Sequence, residues 1–173
     1  MDFKEYLIKK EKTPVELLLT VLIYLAATLI AFVALVFMPA LGAFSGLGLL
    51  LAVGAYYFGH KLSSRFDKEF EYVQTEDMLD IDVIYNKSAR KRLVSVSVKD
   101  VEVMANTKDD LYNAVLKEQF DKVIDTTTGK KDANIYFAVY QKDGRTLLKF
   151  EPPTALIEGL QKFSPLKVHV KRI

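Results

Sequence analysis

Lys87, Arg90, Lys91 and Arg92 put four cations into six residues, in what reads as the connection between two strands. Beside a membrane, each cation adds about 1 kcal/mol of attraction to anionic headgroups. The same groups suit a phosphorylated or acidic protein partner. A solvated loop that serves only solubility and topology has the same composition. Asp80-x-Asp82 sets two carboxylates on one face of a strand. Such a pair can bind a divalent cation. The solvated face of a two-faced sheet gives the same pattern, and that reading is adopted.

Other chemistry is thinner. His60 and His169 have no metal-ligand spacing and no nucleophile signature beside them, so no metal site is expected. Thr128-Gly129-Lys130-Lys131 looks like the end of a phosphate-binding loop. The first glycine is missing and Lys131 stands where Ser or Thr is needed, so the segment reads as a polar loop. Asn86-Lys87-Ser88 is a glycosylation sequon that a cytoplasmic location leaves inert. Cysteine is absent, which excludes disulfides and cysteine nucleophiles. A net charge of +2 makes no case for nucleic-acid binding. No catalytic residue and no cofactor is expected.

The elements that must carry these residues begin with two apolar runs. Leu17 to Met38 and Ala40 to Phe58 hold no charge, and only Pro39 separates them. At about 1.5 Å per residue each is long enough for roughly 30 Å of hydrocarbon. Two spans joined so tightly run antiparallel, which predicts a membrane hairpin over 14–60, with helices near 14–38 and 40–59. A cleaved leader is the alternative, but its apolar core runs to about 15 residues at most. Thr13-Pro14-Val15-Glu16 is a helix start with a capping box. Lys4, Lys9, Lys10 and Lys12 precede the hairpin, Lys61, Arg65 and Lys68 follow it, and the turn is uncharged. Both termini are therefore expected in the cytoplasm, in a multi-pass protein of the plasma membrane. Ala27-x-x-x-Ala31 and Gly42-x-x-x-Gly46 permit close helix packing, within the hairpin or with a second copy or partner. Tyr24 is expected to bond a neighbouring helix or a backbone carbonyl.

Residues 1–13 read as an interfacial amphipathic helix, with Phe3, Tyr6, Leu7 and Lys10 on one face. Residues 61–68 read as a linker. From 69 to 173 the pattern is α+β and mostly antiparallel. Strands are expected at 69–75, 79–85, 92–98 and 101–105 as one group. A helix follows at 108–120, then strands at 133–140 and 146–150, with 121–126 as a candidate partner. An amphipathic helix at 154–163 buries Leu156, Ile157, Leu160 and Phe163, and Val168 to Lys171 adds a last strand.

This order resembles the pleckstrin-homology-like (PH-like) plan, two orthogonal antiparallel sheets forming a split barrel with a C-terminal helix. EFEYVQTEDMLDIDVIYNKSARKRLVSVSVKDVEVM looks like the first half of bacterial membrane-bound PH-like domains. The whole chain is similar to small bacterial membrane proteins with a two-helix N-terminal hairpin. The resemblance implies binding or assembly and no catalytic residues. The expected function is a non-enzymatic membrane protein whose cytoplasmic domain binds a protein partner or anionic lipid. The alternative is an accessory subunit of a transport or channel assembly, acting through its helices.

Overall fold

The computed structural model describes residues 3–170. The chain forms two compact units: Lys12–Asp67, which is helical, and the segments that flank it, which are built on β-sheet.

The first correction lies at the N-terminus. Residues Phe3–Lys9 form a strand, β1, and not an interfacial helix. β1 pairs antiparallel with β2 (Lys68–Thr75), from Phe3↔Thr75 to Lys9↔Glu69. The physical reason is the period. Tyr6 and Ile8 lie two apart, opposite Tyr72 and Phe70, and pack against the same core. Leu7, counted on the helical face, instead lies exposed opposite Glu71. The helical unit is therefore an insertion between two neighbouring strands.

The first sheet has the order β1-β2-β3-β4, with β3 at Met78–Tyr85 and β4 at Ala89–Ser97. The second contains β5 (Val101–Asn106), β6 (Lys122–Asp125), β7 (Tyr136–Gln141) and β8 (Arg145–Phe150), in the order β5-β7-β8-β6. The 101–105 strand thus opens the second sheet, because β1 has taken the fourth place in the first. The chain turns between sheets at Ser97–Asp100, with Val98 in the turn and Val101 just after it fully buried. β6 runs parallel to β8, the one parallel pair among these strands.

Between the sheets lie Phe70, Tyr72, Leu79 and Ile81 from the first and Met104, Tyr136, Leu148 and Phe150 from the second. α4 (Thr154–Gln161) adds Leu156, Ile157 and Leu160. Phe163 lies past the end of α4 and is partly exposed. The outer face of the second sheet is also apolar, with Ala105, Phe137, Val139 and Leu147. It is covered by Tyr112, Val115 and Phe120, which explains the helix between the two groups of strands. That helix, α3, spans Asp110–Val115 and is shorter than the helical spacing to Phe120 predicts. Phe120 packs without helical backbone, below Arg145 at 5.5 Å, while Arg145 also pairs with Glu102 and Glu118. Val168 makes an isolated parallel bridge to Met104 in place of a full strand. Lys171 lies outside the described residues.

In the helical unit, α1 (Pro14–Phe37) begins at the expected capping box, with Glu16 N donating to Thr13 Oγ1 at 3.2 Å and Thr13 N to Glu16 Oε2 at 2.8 Å. The connection is longer than Pro39 alone. A 3-10 segment, Met38–Phe44, precedes α2 (Gly46–Ser63). The 61–68 linker is likewise shortened, because α2 and a 3-10 turn, Ser64–Phe66, occupy most of it. Pro14–Ala40 is long and apolar enough to cross a membrane by length and composition, with mean hydropathy 2.8 over its best window. The apolar part of α2, Gly46 to Gly59, rises only about 21 Å at 1.5 Å per residue.

The two helices meet along small residues. Ala27, Ala31 and Ala34 are buried on α1, and Gly48, Ala52 and Gly59 on α2. A Cβ on Gly48 would stand 2.8 Å from the Ala34 carbonyl oxygen, and one on Gly59 would stand 3.4 Å from the Ala27 Cβ. Ala27 and Ala31 lie in this seam, whereas Gly42 and Gly46 lie outside it. Gly42 makes the kink of the connection at φ +56°, and a Cβ on Gly46 would meet open space. Tyr24 bonds across the seam: its hydroxyl lies 3.2 Å from His60 Nδ1 and accepts from Ser63 Oγ at 3.2 Å.

Candidate functional site

The basic run is divided by the strand it stands on. The β3–β4 turn consists of Asn86 and Lys87, at φ +48° and +54°, closed by Ser88 N donating to Tyr85 O at 3.1 Å. Two left-handed residues match the right-handed twist of the flanking strands. Arg90, Lys91 and Arg92 are therefore not in a loop but on β4. Alternation sends Arg90 and Arg92 to one face and Lys91 to the other.

On that outer face wait the acids of β2 and β3. Glu71 lies opposite Asp82, and Asp82 opposite Arg92. Arg90 Nη2 reaches Glu71 Oε1 at 2.6 Å, and Arg92 Nη1 reaches Asp80 Oδ2 at 2.7 Å. Arg92 Nε also donates to Asp82 Oδ1. A β-bulge between Ile81 and Asp82 shifts the register so that these groups meet. The two arginines thus neutralise an internal carboxylate ladder, and Asp80-x-Asp82 faces Arg92. Burial pushes the Glu71 carboxyl above its ordinary range, and Glu5 adds to this against the opposing charge of Arg90.

Lys87 and Lys91 are exposed, and neither has a carboxylate partner among the described residues. Lys130 and Lys131 are in the same state. Their loop is held by Tyr72, a fully buried residue whose hydroxyl donates to Thr126 O at 2.7 Å and accepts from Glu151 N at 3.1 Å. Burial pushes this phenol well above its ordinary range, so it stays a donor. Thr128 N and Oγ1 donate to Glu151 Oε1 at 3.0 and 2.9 Å, and Gly129 turns the chain outward at φ +84°.

These lysines share one end of the β unit. β1 finishes there and β2 starts there, with Lys10 N donating to Lys68 O at 3.0 Å. Lys68 lies opposite Tyr85, next to the Asn86-Lys87 turn. Glu11 N donates to Thr128 O at 2.8 Å, which brings the 126–132 loop to the same place. Sequence reading missed Lys130 and Lys131, since only the fold brings residue 128 to residue 11. Among the described residues no group of three or more His, Asp or Glu is placed to hold a metal ion. His60 belongs to the helical unit, and His169 donates its backbone N–H to Met104 O.

A family model described as bacterial PH-like domain matches residues 2–170, through the helical unit as well as the β unit. No curated protein and no solved structure matches the chain. PH-like domains are typically non-catalytic binding modules. Two packed sheets closed by a C-terminal helix, matched over almost the whole length, place this chain in the bacterial PH-like domain family (DUF6106).

Proposed function

We propose that the chain is a binding module held at the cytoplasmic face of the plasma membrane by its helical insertion, and that its β unit contacts anionic lipid headgroups through Lys87, Lys91, Lys130 and Lys131. The observation that carries this reading is the shared end. The unpaired lysines stand where the chain leaves the β unit at Glu11 and re-enters it at Lys68. Connectivity keeps that end near any membrane the insertion occupies, within reach of a surface potential that fades over about 10 Å. Arg90 and Arg92 drop out as contacts, because acids of the same sheet hold them.

The β1–β2 ladder supports the membrane placement by topology. Paired strands lie on one side of a bilayer, so the insertion crosses it an even number of times. A crossing by α1 requires a return by α2. Cleavage behind α1 would also remove β1, which gives Tyr6 and Ile8 to the core. The basic residues flanking the insertion favour the cytoplasmic side.

The test is flotation of the β unit with Lys12–Asp67 replaced by a short glycine-rich turn, using neutral and anionic liposomes. The protein should float with anionic liposomes only, and glutamate at all four lysines should abolish flotation. Equal flotation of the charge-reversed protein would remove these residues from the site.

A further inference from the structure

We infer that the helical unit has a site of its own for one anionic phospholipid, with the phosphate on Lys61 and Arg65 and an acyl chain along the groove beside α2. This rests on the bilayer placement proposed above but uses different residues. Lys61 and Arg65 are four apart, at the end of α2 and in the following 3-10 turn, and with Phe58 and Leu62 they line a cavity of about 360 Å³. Residues four apart on a helix share a face. Neither cation has a carboxylate partner among the described residues, and the acid nearest to Arg65 in sequence, Asp67, is taken by Lys12 at 3.0 Å. The partial negative charge at the end of α2 offsets only part of two full charges.

Phe58 and Leu62 also line a second cavity, an apolar groove of about 710 Å³. Its walls include Ile23, Ile30 and Leu51, and Ala26 and Gly54 leave it hollow. A Cβ on Gly54 would meet nothing within 4 Å. The groove runs along α2 from Leu62 to Leu47. That is about 22 Å at 1.5 Å per residue, more than the roughly 15 Å of hydrocarbon in one leaflet. A basic pocket that shares Phe58 and Leu62 with an apolar groove is complementary to an anionic headgroup joined to a tail. The Arg65 guanidinium suits a phosphate bidentately, and Lys61 adds a point charge. A zwitterionic headgroup such as phosphatidylcholine carries its own ammonium beside the phosphate, so it compensates two cations less well than phosphatidylglycerol does.

The experiment uses the full chain in membranes of mixed phosphatidylglycerol and phosphatidylcholine. Carbonate extraction comes first, then purification in mild detergent and measurement of the lipid retained per protein. The wild type should stay in the membrane and retain about one phosphatidylglycerol in preference to phosphatidylcholine. K61Q/R65Q should stay equally integral and lose retention about twenty-five-fold, at roughly fivefold for each cation. Gly54→Leu should fill the groove and lower retention with both cations intact, while Lys117→Gln should retain lipid as wild type does. Release of the wild type by carbonate would overturn the bilayer placement and this site with it. An integral K61Q/R65Q protein that retains phosphatidylglycerol like the wild type would overturn the site alone.

Discussion

The helical unit and the β unit sort their side chains in opposite directions. The β unit buries its largest residues, Tyr72, Phe137, Phe150 and Leu156, and leaves lysines such as Lys87, Lys91, Lys130 and Lys131 exposed. The helical unit buries alanine and glycine and turns its large apolar residues out, with Leu25 62 %, Phe32 61 %, Val53 61 % and Phe58 68 % exposed. A water-facing protein rarely shows so large a continuous apolar surface. Between helices in lipid, close approach of small residues takes over from burial of large ones. The difference is what the proposed membrane placement requires of two units folded for different solvents, and the seven register pairs between β1 and β2 close the β unit around the insertion point in sequence.

That contrast is broken most strongly by truncating large residues in each unit. Phe150→Ala should destabilise the β unit by about 3–5 kcal/mol, since it removes a fully buried ring. Phe32→Ala should leave the stability of the protein in detergent within about 0.5 kcal/mol, as for a surface substitution. Thermal unfolding of the two variants measures both. Glycine replacement sharpens the contrast from the other side. Gly48→Val should force the seam apart against the Ala34 carbonyl, at about 1–3 kcal/mol for overpacking. Gly46→Ala should be neutral or slightly stabilising, since its Cβ meets open space. Disulfide trapping between cysteines placed on α1 and α2 reads the seam directly.

A smaller effect separates stability from binding within the β unit. Lys87 holds a left-handed conformation that glycine adopts without cost. Lys87→Gly should raise stability by about 1 kcal/mol in chemical denaturation and weaken flotation with anionic liposomes. A gain in both would show that Lys87 is not kept for its charge. The smallest effect concerns Glu71. Its carboxyl is raised above the ordinary 4.5 in the folded chain. The associated stability is full below that value and declines as pH rises through the raised one. Glu71→Gln should flatten this decline in a pH series of unfolding curves.

Much of this architecture is legible in the residues, and the parts that are not have a common cause. The first apolar run, the capping box at Thr13 and the β3 alternation are local patterns, and α1, its cap and β3 stand where these patterns place them, whereas α2 starts later than the second run, at Gly46. β1 escapes local reading. Over seven residues the apolar positions fit both periods, and the choice is made by Tyr72 and Phe70, more than sixty positions away. The same distance hides the state of the cations. In the sequence Arg90 has no visible partner; the fold brings up Glu71, nineteen residues earlier. Lys130 and Lys131 join the site only because Tyr72 and Glu151 hold their loop beside the exit of β1.

The central claim, that the helical unit crosses a bilayer twice and leaves the β unit on the inner side, has a direct test. The natural chain has no cysteine, so single-cysteine labelling has no background. Ala40→Cys marks the connection between the helices and Lys117→Cys an exposed position of the β unit. In right-side-out membrane vesicles an impermeant maleimide should label Ala40→Cys at once, and Lys117→Cys only after permeabilisation. Equal labelling of both before permeabilisation would place the connection and the β unit on one side of the membrane and contradict the account.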